Sequence, residues 1–162
     1  MTLNSIIFFN NKKDILDYLE TNDLKLKKSF NPNEDILLQS LFILINDYFS
    51  GKKISLYQKI NDLKIDLNLK DKFSTKFALK VIDHILSIKY GEVTTYSDIG
   101  KEIGSKAYRA IGNVLRKNPL PLIIPCHRVI RKTGDIGGFM GKTIESWQQD
   151  LKQYLIDMEK QN

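Results

Sequence analysis

TTYSDIGKEIGSKAYRAIGNVLRKNPLPLIIPCHRV, residues 94–129, decides how this chain is read. Thr95 stands before an apolar-periodic run and Asp98 follows three residues on, which suits an N-cap and an acid that complements the helix dipole. Ile99 and Ile103 give this short helix one apolar side, and Gly104 closes it. Ser105 is positioned to cap a second helix that runs to about Lys117 and must stop before Pro119. On it Ala107, Ile111, Val114 and Leu115 share an inward face, while Lys106, Arg109, Ala110, Asn113, Arg116 and Lys117 point outward. Two short helices joined at a glycine suit a helix-turn-helix, with an ordinary helical hairpin as the alternative. The outward face mixes arginines with small residues (Ala110, with Gly112 at its edge), which permit close backbone approach. That mixture fits a wide or distorted minor groove better than a major one.

Three of the four prolines, Pro119, Pro121 and Pro125, come next within seven residues. They predict a stiff, extended segment with a buried strand at residues 122–124, delivering Cys126 at a fixed place. A thiolate nucleophile needs a base or positive surroundings, because an ordinary thiol titrates at about 8.5. His127 is the one histidine near in sequence. Adjacent side chains of an extended chain face opposite ways, so a direct Cys126–His127 bond requires a turn, or a bridging water. The competing reading of a lone cysteine is an inert, buried, small hydrophobe.

Upstream, TKFALKVIDHILSIKYG (residues 75–91) carries an apolar stripe of Phe77, Val81, Ile82, Ile85 and Leu86 on a helix ended by Gly91, with His84 solvated beside the polar face. EDILLQSLFILINDYF (residues 34–49) is a further helix, stopped by Ser50-Gly51. Residues 52–72 read as a connecting segment, residues 13–20 as a weak helix and IIFF (residues 6–9) as a short strand. The division expected is a small α/β part over 1–70 and a mainly helical part over 71–162, an α+β fold overall.

Composition narrows the function. A single cysteine cannot form an internal disulfide, and with only two histidines a Cys/His zinc cluster is excluded. No apolar run approaches the roughly 20 residues that cross a bilayer, and the first residues do not read as an export signal, so a reducing cytoplasm is expected. Net charge is +6. Residues 1–70 carry ten Lys against nine acids, whereas residues 89–132 carry nine Lys/Arg against three. All four arginines, Arg109, Arg116, Arg128 and Arg131, lie in that second stretch, and their planar forks suit phosphates and base edges. A polyanion partner is the reading favoured over a chance cluster.

YGEVTTY (residues 90–96), RAIG (residues 109–112) and NPLPLIIPCHRV (residues 118–129), continued by Gly134, Gly137-Gly138-Phe139 and Gly141, closely resemble the 6-O-alkylguanine-DNA alkyltransferases. The likeness covers roughly residues 73–159, and NDYFSGKKIS near residue 50 is similar to the family's YF-x-G segment. The resemblance implies a C-terminal helix-turn-helix of the winged-helix type, which docks in the minor groove of double-stranded DNA and flips the damaged base. It further implies a cytoplasmic monomer, nucleoid-associated in a prokaryote and nuclear in a eukaryote, that needs neither cofactor nor metal. Cys126 is then the alkyl acceptor from 6-O-alkylguanine, with 4-O-alkylthymine a further candidate, and each molecule reacts once. His127 acts through a water, oriented by a late carboxylate: the terminal-helix match gives Glu159, while a register anchored on Trp147 puts Lys152 there. Tyr96 touches a phosphate and protonates the leaving guanine, Arg109 fills the vacated stack and Asn118 holds the active-site strand. Lys106, Ala107, Ala110, Gly112, Asn113 and Arg116 complete the DNA face. Pro121, Val129, Phe139, Met140 and Gly141 form the base pocket. Tyr108 and Asn113 are bulkier than the family's usual residues, Phe139 replaces a common Tyr, and residues 142–150 are longer. A lesion binder that transfers nothing, and a regulator with a sensory cysteine, are the competing functions; Cys126 argues against the first and the lack of any dimerisation heptad against the second.

Overall fold

Local caps set the helix boundaries of this computed structural model, which describes residues 2–8, 11, 13, 14, 32–142 and 146–161. Helix α1 (Pro32–Phe49) ends at Ser50 and at Gly51, whose φ is +84°. Ser55 accepts from Gln58 N to start α2 (Leu56–Asp62), and α3 (Leu69–Lys72) follows. Thr75 accepts from Ala78 N to start α4 (Lys76–Ser87), which buries Ala78, Val81, Ile82 and Ile85. Strand β1 (Thr94–Thr95) leads into α5 (Tyr96–Glu102), capped by Thr95 as the spacing to Asp98 predicts. Then come α6 (Tyr108–Arg116), a 3-10 turn (Cys126–Arg128), β2 (Val129–Ile130) and α7 (Trp147–Gln161).

Strands β1 and β2 pair in parallel, Thr94 with Val129 and Thr95 with Ile130. This short ladder ties the entry of the helix-turn-helix to the residues just after Cys126, and with the surrounding helices it gives the expected α+β class. One apolar cluster runs from Tyr48 and Ile60 through Val81, Ile82 and Ile85 to Ile99, Ile111, Ile124 and Leu155. Each such aliphatic side chain contributes roughly 1.5–3 kcal/mol when fully buried. The turn between α5 and α6 needs glycine at position 100. A Cβ there would lie 2.5 Å from Ser105 O, and Ser105 N donates to Gly100 O at 2.7 Å. Among the described residues no helix is long and apolar enough to cross a membrane.

Five local expectations are corrected. Residues 52–72 are not a plain connector: α2 and α3 form there, and Ile60, Ile65 and Leu67 are buried, because the Ser55 cap starts a turn that brings Leu56 and Ile60 onto one face. No strand forms at Ile6–Phe8; Leu3 N donates to Asp66 O at 2.9 Å and Ile6 N to Pro119 O at 2.8 Å instead, while Phe9 lies outside the described residues. Most of residues 13–20 lie outside them as well. Helix α6 begins at Tyr108 rather than after Ser105, whose Oγ accepts from Ala107 N, so Ala107 is exposed rather than inward. His84 is half-buried in the last turn of α4, not fully solvated. Residues 122–124 are buried but turned rather than extended. Leu122 has φ +71° and Ile124 N donates to Leu120 O at 2.9 Å.

Candidate active site

The turn just described exists because Asn118 supplies bonds that a strand neighbour would otherwise supply. Asn118 Oδ1 accepts from Leu120 N at 2.9 Å, and its Nδ2 donates to Ile124 O at 3.0 Å and to Cys126 Sγ at 3.1 Å. One amide thus spans the segment from α6 to the cysteine. A bulky residue held at positive φ, as Leu122 is, costs roughly 1–2 kcal/mol, so the loop is held against a local preference. The 3-10 turn then bends the chain at Cys126, and no bond joins Cys126 to the His127 ring among the described residues.

Cys126 is 6% exposed. Burial pushes its thiol up, against the hydrogen bond from Asn118 and the positive charge of Lys152, which pull it down. Behind it lies a dense buried network centred on Glu159, itself 3% exposed. Glu159 Oε1 accepts from Tyr48 Oη at 2.5 Å and from Arg128 Nη2 at 2.8 Å, and lies 3.0 Å from His127 Nε2. Its Oε2 accepts from Arg128 Nε at 2.8 Å and from Gly91 N at 3.2 Å. Gly91 is required there: its φ is +79°, and a Cβ would lie 2.9 Å from Glu159 O. Burial alone would raise the Glu159 carboxyl, but the bonds and charges of His127 and Arg128 outweigh it and hold the group far below the usual carboxylate range. Burial lowers His127, reinforced by Arg128 and Lys152 and opposed by Glu159. A carboxylate only accepts, so the His127 ring proton belongs on Nε2. His127 Nδ1 is buried with no hydrogen-bond partner among the described residues.

Lys152 is 0% exposed and donates to Val129 O at 2.6 Å and Gly138 O at 3.2 Å. Burial pulls its ammonium down to about 8, with Cys126 acting the other way. The two late-helix candidates for the partner of His127 therefore have different environments. Glu159 contacts the imidazole; Lys152 joins the backbone after Cys126 to the loop before Phe139.

In front of Cys126 opens a cleft of about 590 Å³. Of the residues expected in the site, Tyr96, Arg109, Gly112, Asn113, Arg116, Phe139, Met140 and Gly141 line it together with Cys126. Met140 and Gly141 (φ +48° and +82°) form a tight two-residue turn between Phe139 and Lys142, which exchange backbone bonds at 2.9 and 3.0 Å. Burial raises the Tyr96 phenol, as does Cys126, while Arg131 lowers it. The structure does not bring every expected residue to the cleft. Pro121 is buried in the Asn118-braced turn, Val129 is buried behind the cysteine, and Lys106, Ala107 and Ala110 lie outside the cleft lining. Tyr48, Arg128, Arg131 and Tyr108 were not singled out as site residues from the sequence. Arg128 and Arg131 belong to the arginine cluster, Tyr48 to the YF segment, and Tyr108 stands where the family carries a smaller residue, so each had a signal in the sequence. Among the described residues no group of His, Cys, Asp and Glu could hold a metal ion.

Comparison with known proteins agrees over the same stretch. The family described as 6-O-methylguanine DNA methyltransferase, DNA binding domain, matches residues 76–161. A methylated-DNA–protein-cysteine methyltransferase of Metallosphaera sedula is 36% identical over 119 residues, 74% of this chain and 65% of that one. A protein of Acanthamoeba polyphaga mimivirus, named as a probable methylated-DNA–protein-cysteine methyltransferase, is 35% identical over 158 residues, 97% of this chain and 89% of that one. The crystal structure of Mycobacterium tuberculosis OGT in complex with DNA aligns with a TM-score of 0.60 at 30% identity, covering 76% of this chain and 67% of that one. A chain with this cysteine, this helix-turn-helix and these relatives belongs to the 6-O-methylguanine DNA methyltransferase family.

Proposed function

We propose that this chain repairs DNA by direct reversal, moving the alkyl group of a 6-O-alkylguanine onto Cys126, once per molecule. The observation that carries the reading is a nucleophile between two unlike surroundings: an open cleft in front, and a buried His127–Glu159 pair behind. The cleft has room for a base, and flipping delivers one from a duplex. Arg109, Arg116 and Arg131 are exposed at or near its mouth and enter no ion pair among the described residues, which suits phosphate contact and, for Arg109, filling of the vacated stack. A Cβ at Gly112 would rest 3.8 Å from the Tyr96 ring, an ordinary contact. The fold therefore does not demand glycine there, which supports a close approach of DNA at this position.

The chemistry follows from the protonation states. Neutral His127 accepts the thiol proton at Nδ1 through a water, and the resulting imidazolium is stabilised by Glu159. The sulfur attacks the alkyl carbon, an S–C bond forms, and the C–O bond to guanine O6 breaks. Tyr96, whose raised phenol keeps its proton at neutral pH, donates it to the leaving purine. The product thioether is a poor leaving group, so no second turnover follows. Phe139 and the Met140-Gly141 turn border the base, which also leaves 4-O-alkylthymine as a candidate substrate for the same cleft.

The test is peptide mapping after incubation with a duplex carrying 6-O-methylguanine. The methyl group is expected on the Cys126 peptide, absent in Cys126→Ala; tight lesion binding with no methylated peptide would reduce the protein to a lesion binder.

A further inference from the structure

Tyr48 stands at the end of α1, remote in sequence from the cysteine turn, yet it enters the network behind the sulfur. It is 1% exposed, donates to Glu159 Oε1, and lies 3.3 Å from His127 Nε2. Glu159 Oε1 thus has three donors, of which only His127 takes part in proton transfer. A carboxylate with fewer donors concentrates its charge on the imidazole and favours the imidazolium; one whose charge is spread over Tyr48 and Arg128 leaves the ring neutral. Building on the alkyl-transfer reading, we propose that Tyr48 is a positioning residue of this site. By capping Glu159 Oε1, it keeps His127 as the Nε2–H tautomer with Nδ1 free to take the thiol proton.

Every element packed here contributes a charged or titratable group: Tyr48 from α1, Tyr90 from the segment after α4, Cys126 and Arg128 from the turn itself, and Lys152 and Glu159 from α7. Arg128 and Lys152 disfavour a protonated ring directly and Glu159 favours it. Tyr48 acts through Glu159. Its phenol is pushed well above the ordinary range by burial and then by Glu159, so it remains a donor wherever the protein is folded.

The chain holds only two histidines, His84 and His127, so nitrogen-15 histidine NMR on the full protein follows both rings without any substrate. Wild type should show His127 as the Nε2–H tautomer at neutral pH. Tyr48→Phe should raise the pH at which His127 gains its second proton by about one unit, which is the effect of one modest hydrogen bond. The acidic limb of the methyl-transfer rate should move up equally, with recovery at higher pH that a merely misfolded site would not show. 3-Fluorotyrosine at position 48, a stronger donor of nearly the same size, should move both the other way, and it decides the matter if Tyr48→Phe fails to fold. An unmoved His127 titration in either folded variant overturns the proposal. Absence of methyl transfer by wild type would instead overturn the alkyl-transfer reading, with the His127 titration still reporting on Tyr48.

Discussion

The two sides of Cys126 are built on opposite plans. Behind it, Tyr48, His127, Arg128, Lys152 and Glu159 are all buried, and each is bonded to another member of the set or to backbone. In front, Arg109, Arg116, Arg131 and Lys142 are exposed, and the ion pairs among the described residues involve none of them. A buried charge must find its partner within the fold, because desolvation without pairing costs several kcal/mol. An exposed cation can wait for a partner from outside. On the proposed function the difference separates two tasks: the rear network would fix protonation states before DNA arrives, and the front would leave its charge to the DNA. Substitutions behind the sulfur should then act on stability and pH dependence, and those in front on duplex binding.

The largest effect should come from Glu159→Gln. It leaves the Arg128 guanidinium buried without its anion, which costs about 3–5 kcal/mol, and urea unfolding should read that loss. A variant as stable as wild type would break the claim that the rear charges hold one another. Lys152 sharpens the same side through pH. Folded Lys152 releases its proton at about 8, and the unfolded chain at about 10.4. Between those values the unfolded state binds more protons, so wild-type stability should rise with pH across that window. In Lys152→Met that rise should vanish.

On the front side, Arg109→Ala should leave stability within about 0.5 kcal/mol, while weakening duplex binding and reducing the salt slope by about one. An equal loss of methyl transfer from a free methylated base would contradict a role confined to DNA. The smallest effect separates the sides within a single residue. Gly112→Ala should raise stability by up to about 1 kcal/mol from helix propensity, because its Cβ meets only an ordinary contact, and still weaken duplex binding.

How far the sequence could be read follows the same line. The α5–α6 pair was legible because Thr95, Gly104, the Ile99/Ile103 spacing and the Ile111/Leu115 spacing are local signals, and Cys126-His127 because its chemistry is written in adjacent letters. The turn at Leu122 was not, since the side chain of Asn118 imposes it and proline spacing alone suggests extension. Ser105 misled for a related reason: it caps a turn three residues before the helix. Tyr48 and Glu159 are 111 residues apart, and no periodicity links them. Only the packing of α1 against the cysteine turn brings that phenol to the carboxylate, so the front of the site was far more legible than its rear.

Intact mass spectrometry against excess methylated duplex reads a single, irreversible transfer to Cys126. Every protein molecule should gain one methyl group and then stop, demethylated guanine should appear in equal amount, and Cys126→Ala should gain nothing. Guanine repair continuing beyond one equivalent, or a methyl gain that survives Cys126→Ala, would contradict it.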